Sequence, residues 1–295
     1  KNRALQQWRV EDSIELYGIR NWGAGYFDVS DAGEVVICPQ GPKGPQVSIP
    51  EVIAGLKERG YDMPVLLRVE NILDSRIANI HESFRKAIKN LNYTGSYRGV
   101  FPIKVNQQQQ VVEKIAQFGS TYHHGLEVGS KAELIAAVSL MRDREACIVC
   151  NGYKDEEFID LGLQALRLGF NVLFVLEMPS ELEVVLERSK ALGVRPNIGV
   201  RAKLAVKASG HWTDSGGERS TFGLSPAQIV DVVDTLKAND MLDCFKLLHY
   251  HLGSQVSNIR DIRTGVMEGA RLYVGLVQEG APMGYLDLGG GLAVD

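Results

Sequence analysis

The stretch Val100-Phe101-Pro102-Ile103-Lys104-Val105-Asn106 reads as the end of a buried strand, bounded by Tyr97-Arg98-Gly99 before it and a glutamine run after it. Lys104 is the odd member. A lysine in an apolar strand is costly to bury as a cation. Desolvation that lowers its pKa leaves a neutral amine able to attack a carbonyl and form a Schiff base. The plain alternative is a side chain whose ammonium reaches back to water at the strand end. Taken alone, these seven residues favour the plain alternative. The segments around them reverse that reading.

From about residue 72 strand and helix alternate. After an opening helix over 72–91, with Ile77, Ile80, Phe84 and Ile88 at helical spacing, strands are predicted at 100–105, 123–128, 146–151, 171–177, 197–202, 245–251 and 284–288. Helices are predicted between them, around 107–118, 130–142, 155–168, 179–192, 225–238 and 257–278. Most of these strands are nearly all apolar, as a parallel sheet covered on both faces requires. The pattern belongs to the α/β class, as a doubly wound sheet or a (β/α)8 TIM-type barrel. In the barrel reading the eighth strand is missing, and the chain begins at Lys1 and ends abruptly at Asp295, which points to a portion of a longer protein.

The first residues read differently. Gly25–Val29 and Glu34–Cys38, joined by Ser30-Asp31-Ala32-Gly33, form a predicted β-hairpin. Ser48-Ile49-Pro50-Glu51 is a capping box opening a short helix that ends near Gly60, and Pro64–Val69 follows as an apolar strand. The expected domains are therefore a β-rich segment over 1–71 and an incomplete barrel over 72–295.

Composition sets bounds on function. Hydrophobic residues at 45% suffice for a large core, and a net charge of −4 argues against nucleic acid or an anionic membrane surface as the main partner. There is no apolar run long enough to cross a membrane and no signal-peptide pattern at Lys1, so a cytoplasmic location is expected. Cys147 and Cys150 form a C-x-x-C inside a strand, where residues three apart face opposite ways. With Cys38 and Cys244 they read as small buried residues of a reducing compartment, not as a metal site or a disulfide.

In a barrel the C-terminal strand ends converge. Here they carry Lys104, Glu127, Asn151, Glu177, Arg201, His251 with Ser254, and Gly289-Gly290-Gly291. Three glycines after an apolar strand let backbone N–H groups approach a phosphate, and the Ser254 hydroxyl suits the same anion. His249 and His251, two apart, share a strand face, so one can stack on a flat ring while the deeper His249 is a core histidine. The loop over 203–224 is long and polar and would lie at the same face. An amine, a phosphate cradle, a ring plate and carboxylates on converging strand ends describe a pyridoxal phosphate site.

On these residues the chain resembles the fold-type III pyridoxal phosphate decarboxylases, and within them the biosynthetic arginine decarboxylase subfamily. The segments that carry the resemblance are Tyr17-Gly18-Ile19-Arg20-Asn21-Trp22-Gly23-Ala24-Gly25-Tyr26-Phe27, Val100 to Gln107, His249-Tyr250-His251-Leu252-Gly253-Ser254-Gln255 and Leu286-Asp287-Leu288-Gly289-Gly290-Gly291-Leu292. The first two are specific to the subfamily; the last two are shared across the fold type. The resemblance implies that Lys104 forms the Schiff base and moves protons, and that His251 stacks on the cofactor ring. It further implies that Ser254 and Gly289 to Gly291 hold the phosphate, and that Glu127 and Arg201 match a carboxylate–arginine pair positioning the cofactor. The implied reaction is decarboxylation of L-arginine to agmatine and CO2, in polyamine biosynthesis, by a dimer-based homo-oligomer with a magnesium requirement. It also implies that the N-terminal β-rich segment joins a C-terminal β domain. Residues that complete the site lie beyond Asp295, so these 295 residues alone are expected to be inactive.

Two departures and three alternatives complete the reading. Thr221 stands where relatives commonly carry a lysine before Phe222-Gly223, and the chain stops after the seventh strand. The alternatives are a sister decarboxylase acting on ornithine, lysine or diaminopimelate, a non-catalytic partner-binding relative, and a class I aldolase. The presence of Lys104, His251 and the triple glycine together counts against the second. The phosphate and ring-plate set counts against the third.

Overall fold

A computed structural model describes residues 7–205 and 220–293. The chain divides into two compact units, 1–95 and 96–295. The first holds α1 (Val10–Leu16), α2 (Ile19–Gly23), the antiparallel strands β1 (Phe27–Val29), β2 (Val35–Ile37) and β3 (Val47–Ser48), then α3 (Ile49–Glu58) and α4 (Glu70–Asn90). The predicted hairpin forms, with Phe27 opposite Ile37 and Val29 opposite Val35, and β3 adds a third strand. At α3 half of the predicted capping box is seen: Ser48 Oγ accepts from the Glu51 backbone at 3.3 Å and donates its own proton to Glu34 at 2.8 Å. The strand predicted at Pro64–Val69 is absent. That run pairs with no strand among the described residues, and Leu66 is 75% exposed. An apolar run has strand chemistry, but it becomes a strand only where another strand presents its hydrogen-bonding edge.

The second unit is a seven-stranded parallel sheet covered by helices, the sheet of a TIM-type barrel. Its strands are β4 (Val100–Pro102), β5 (Gly125–Val128), β6 (Cys147–Cys150), β7 (Asn171–Leu176), β8 (Ile198–Arg201), β9 (Phe245–His251) and β10 (Tyr285–Gly289), neighbours in sequence order throughout. Between them run α5 (Gln109–Gly119), α6 (Lys131–Leu140), α7 (Glu156–Arg167), α8 (Ser180–Leu192), α9 (Pro226–Ala238) and α10 (Ile259–Gln278). Polar residues open these helices where the sequence places them: Ser130, Asp155, Ser225 and Asn258 each accept a hydrogen bond from a backbone N–H of the first turn.

Register separates the two faces of the sheet. Cys147, Val149, Leu173, Val175 and Leu247 pack on one face with Val100 and Tyr285. Alternate residues such as Leu126, Ile148, Phe174 and Leu248 are buried on the other face, where the helices lie. Gly162 on α7 allows that contact, because a Cβ there would sit 2.4 Å from the Phe174 ring. The cysteines are all free and buried, with Cys147 and Cys150 at opposite parity on β6. Burial pushes their thiols up, to about 11 and about 12.

Candidate functional site

Because every strand of this sheet runs the same way, the C-terminal ends share one edge. Parallel register also puts aligned residues on one face. Glu127 aligns with Val149 and Leu173; Arg201 aligns with His249, which aligns with Asp287; Gly289 aligns with His251. Glu127, Arg201, His249 and His251 therefore share the face of the inner cluster.

Lys104 is placed differently from its predicted strand. β4 ends at Pro102, and Ile103–Val105 forms one turn of 3-10 helix. Pro102 brings no N–H to the ladder, and the chain turns where Ile103 becomes buried. The Lys104 side chain is 60% exposed, so the desolvated amine inferred from an apolar strand does not apply. Its Nζ instead donates to Glu127 Oε1 at 3.4 Å, and that same oxygen accepts from Asn151 Nδ2 at 3.1 Å. Glu127 and Asn151 are buried, so the carboxylate is a fixed acceptor beside an accessible amine.

Arg201 has a carboxylate close by, and it is Glu177: Arg201 Nη1 lies 3.4 Å from Glu177 Oε1, while Glu127 sits with Lys104. The guanidinium carbon is 5.3 Å from the Phe222 ring centre, and Phe222 in turn tilts against Tyr153. Residues 220–224 are laid along the end of β8 by Leu224 N donating to Arg201 O at 2.7 Å and Gly223 N donating to Glu177 O at 3.0 Å. Thr221, in this segment, is exposed. The rest of the predicted loop, 206–219, lies outside the described residues.

The ends of β9 and β10 are laced together. Leu252 N donates to Gly289 O at 3.1 Å, Gly291 N to Gly253 O at 2.9 Å and Val256 N to Gly291 O at 2.8 Å. Gly290 has φ +132, which only glycine adopts without strain, and a Cβ on it would lie 3.0 Å from Gly253 O. A Cβ on Gly291 would face the Ser254 and Gln255 backbone at 3.4 to 3.6 Å. The cradle is thus lined by main chain, including that of Ser254. Burial, then the charges of Arg201, His249 and Lys104, hold the His251 imidazole down at about 4. It is a neutral, flat ring at neutral pH. His249 is buried, with Nδ1 2.9 Å from Asp287 Oδ2, a charge-pair distance without the alignment of a hydrogen bond.

Among the described residues, the buried side-chain atoms without a hydrogen-bond partner are Asn151 Oδ1, Glu177 Oε2 and His249 Nδ1. All three belong to the strands and strand ends that carry these side chains. Each such atom costs about 1–3 kcal/mol, so the protein carries unmet polar capacity beside this edge. A glycine cradle, a neutral ring plate, an accessible amine facing a carboxylate and unmet polar atoms fit a phosphorylated aromatic aldehyde. Sequence reasoning missed the Glu177–Arg201 pairing and a buried Lys154–Glu181 pair behind it. Neither leaves a local signal, since the partners are more than twenty residues apart.

Comparison with known proteins agrees. A family model described as pyridoxal-dependent decarboxylase, pyridoxal binding domain, matches residues 77–295. The chain is 46% identical over 291 residues to a biosynthetic arginine decarboxylase of Gloeobacter violaceus, covering 99% of this chain and 45% of the relative. It is 50% identical over 289 residues to the protein of that name in Rhodopirellula baltica, covering 98% and 43%. A crystal structure of the biosynthetic arginine decarboxylase from Campylobacter jejuni superposes with a TM-score of 0.84 at 35% identity, covering 95% of this chain and 45% of that one. The Helicobacter pylori diaminopimelate decarboxylase, at 20% identity and a TM-score of 0.65 over 82% of this chain and 57% of that one, shares the fold. The chain spans a little under half the length of the arginine decarboxylases it matches. With Lys104, His251 and the triple glycine ranged along one sheet edge, the chain belongs to the pyridoxal-dependent decarboxylases and contains their pyridoxal-binding domain.

Proposed function

We propose that these residues are the pyridoxal-binding portion of a protein that decarboxylates L-arginine to agmatine and CO2. The observation that carries the site is the accessible Lys104 amine, 3.4 Å from the buried Glu127 carboxylate, on the same sheet edge as the glycine cradle. The substrate assignment is supported by 46% and 50% identity to biosynthetic arginine decarboxylases.

Pyridoxal phosphate, when bound, supplies an electron sink for the charge left on an amino acid's α-carbon as its carboxylate departs. Lys104 Nζ is the amine that would hold the cofactor, and it exchanges a proton with its surroundings through its contact with Glu127. Gly289 to Gly291, with no side chains in the way, would let a phosphate approach the main chain of this turn, and Ser254 would add a hydroxyl. His251, neutral at working pH, offers an uncharged face for the ring. Arg201 adds a fixed positive charge, and Phe222 beside it shields part of that charge from water.

The remaining parts of the reading rest on resemblance. They are a dimer-based homo-oligomer, a first segment that joins a C-terminal β domain, a magnesium requirement and a cytoplasmic location. No group of three or more His, Cys, Asp or Glu suited to a metal occurs among the described residues, and no described helix is long and apolar enough to cross a membrane. The test is direct. Full-length protein loaded with pyridoxal phosphate should release CO2 and agmatine from L-arginine in preference to ornithine, lysine and diaminopimelate. Turnover of one of those three in place of arginine would sink the substrate assignment and leave the cofactor site standing.

A further inference from the structure

Behind Arg201 lies a buried polar knot that the cofactor reading does not use. Lys154 follows β6, and its side chain is 0% exposed. Its Nζ donates to Gly152 O at 2.6 Å and Val175 O at 2.6 Å, and it lies 3.1 Å from Glu181 Oε1, an ion-pair distance. Glu181, in the first turn of α8, is equally occupied. Oε1 accepts from the Lys154 backbone at 2.8 Å, and Oε2 accepts from the backbone N–H groups of Glu177 at 2.6 Å and Met178 at 3.2 Å. The knot therefore fixes the main chain on both sides of one carboxylate.

That carboxylate is Glu177. It is 3% exposed, and its Oε1 is shared by the Gly152 N–H at 3.0 Å and by Arg201 at 3.4 Å. Its backbone is tied at both ends, N–H to Glu181 and carbonyl to Gly223. Its Oε2 has no hydrogen-bond partner among the described residues. A carboxylate kept only to fill space in the fold would use both oxygens. This one spends its single engaged oxygen on a loop N–H and the site's guanidinium.

We propose that Glu177 is a positioning residue that sets the Arg201 guanidinium in the pyridoxal-binding site, with the Lys154–Glu181 pair as the brace that sets Glu177. The proposal rests on the cofactor reading above. Arg201 is a long side chain, and a bare guanidinium at the sheet edge would sample several rotamers. An anchored carboxylate behind it selects one and so lowers the ordering cost of binding an anionic cofactor.

The test is a double-mutant cycle on cofactor affinity in the cofactor-free full-length protein. Equilibrium titration with pyridoxal phosphate is run for wild type, E177Q, R201K and the double variant, with thermal midpoints measured alongside. E177Q should weaken pyridoxal phosphate binding by about tenfold in the Arg201 background, inside the range for directly coupled groups. In the R201K background the same change should cost less than about twofold. Equal losses in both backgrounds would overturn the proposal, because a purely structural carboxylate weakens binding whatever stands at position 201. If E177Q does not fold, Glu177→Asp, which keeps the charge but shortens its reach, goes through the same cycle with the same two outcomes. A wild-type protein that does not bind pyridoxal phosphate at all would overturn the cofactor reading, and this inference with it.

Discussion

Two lysines of this domain each stand beside a carboxylate just after a parallel strand, and they could hardly be used more differently. Lys104 faces Glu127 at 3.4 Å with its side chain 60% exposed. Lys154 faces Glu181 at 3.1 Å with none of its side chain exposed. The distances are alike, so distance does not separate a reactive amine from a structural one. What separates them is how many of the donors are spent. Lys154 has two on carbonyls of the main chain and its charge against Glu181, and with no exposed surface it has nothing to offer a ligand. Lys104 is in reach of solvent and of a small molecule. A buried pair tied to the main chain fixes geometry, whereas an open pair leaves chemistry available.

The comparison can be broken most severely at the open pair. In full-length protein, Lys104→Ala should lower the rate of agmatine formation by at least about 10³-fold, while the thermal midpoint moves little because the side chain is 60% exposed and Asn151 still donates to Glu127. A variant that keeps a tenth of wild-type turnover would remove Lys104 from its proposed role. The braced pair should behave in the opposite sense. Lys154→Met leaves Glu181 buried without its cation and should cost about 3–5 kcal/mol of stability in denaturant unfolding. Replacing both partners, as Lys154→Met with Glu181→Gln, should restore most of that loss. If the single variant unfolds at the wild-type midpoint, the brace is not one.

A third test uses pH. The folded protein holds His251 at about 4, below its usual 6.5, so between those values the unfolded chain binds a proton that the folded chain does not. That contribution to stability is fully present above the unfolded value and is lost as pH falls through the window toward the folded one. Denaturation midpoints of the cofactor-free protein should therefore drop with acidification across that window. His251→Gln should flatten the slope, and an unchanged slope would mean that the ring is not shielded as described. The smallest effect is expected at the cradle. Gly290→Ala places a Cβ at φ +132 and 3.0 Å from Gly253 O, a local strain of about 1–3 kcal/mol. Titration should show weaker pyridoxal phosphate binding, with Lys104 still accessible to amine-reactive probes.

The parallel sheet was legible because strands covered on both faces are apolar along their whole length, as in Val172-Leu173-Phe174-Val175-Leu176. The same rule misled at two places. Ile103 and Val105 continue the apolar run of β4, yet Pro102 ends the ladder and the chain coils into a 3-10 turn. Pro64–Val69 has the chemistry of a strand, but among the described residues no strand pairs with it. Lys104, Glu127, Arg201, His251 and Gly289 to Gly291 were visible because each lies at or just beyond the C-terminal end of a strand. Lys154 was hidden in Tyr153-Lys154-Asp155, which reads as an ordinary polar loop before the N-cap Asp155. Glu181 was hidden among the acidic residues that commonly open a helix. Their meeting is set by the spacing of neighbouring βα units, which no local pattern encodes.

The sheet's strands lie side by side in the order in which they are synthesised, from β4 to β10. A chain emerging from the ribosome can therefore dock each new βα unit onto an edge already in place, with no wait for a distant partner. Along that schedule the Lys104–Glu127 contact needs only the first two strands, and the Lys154–Glu181 knot only the third, the fourth and the helix after it. The glycine cradle is made last, because Gly291 must lace back to Gly253. An unfinished nascent chain thus exposes an amine but offers no seat for a phosphate. Tight capture of the cofactor would then act as a checkpoint, withheld until the last of these strands has arrived.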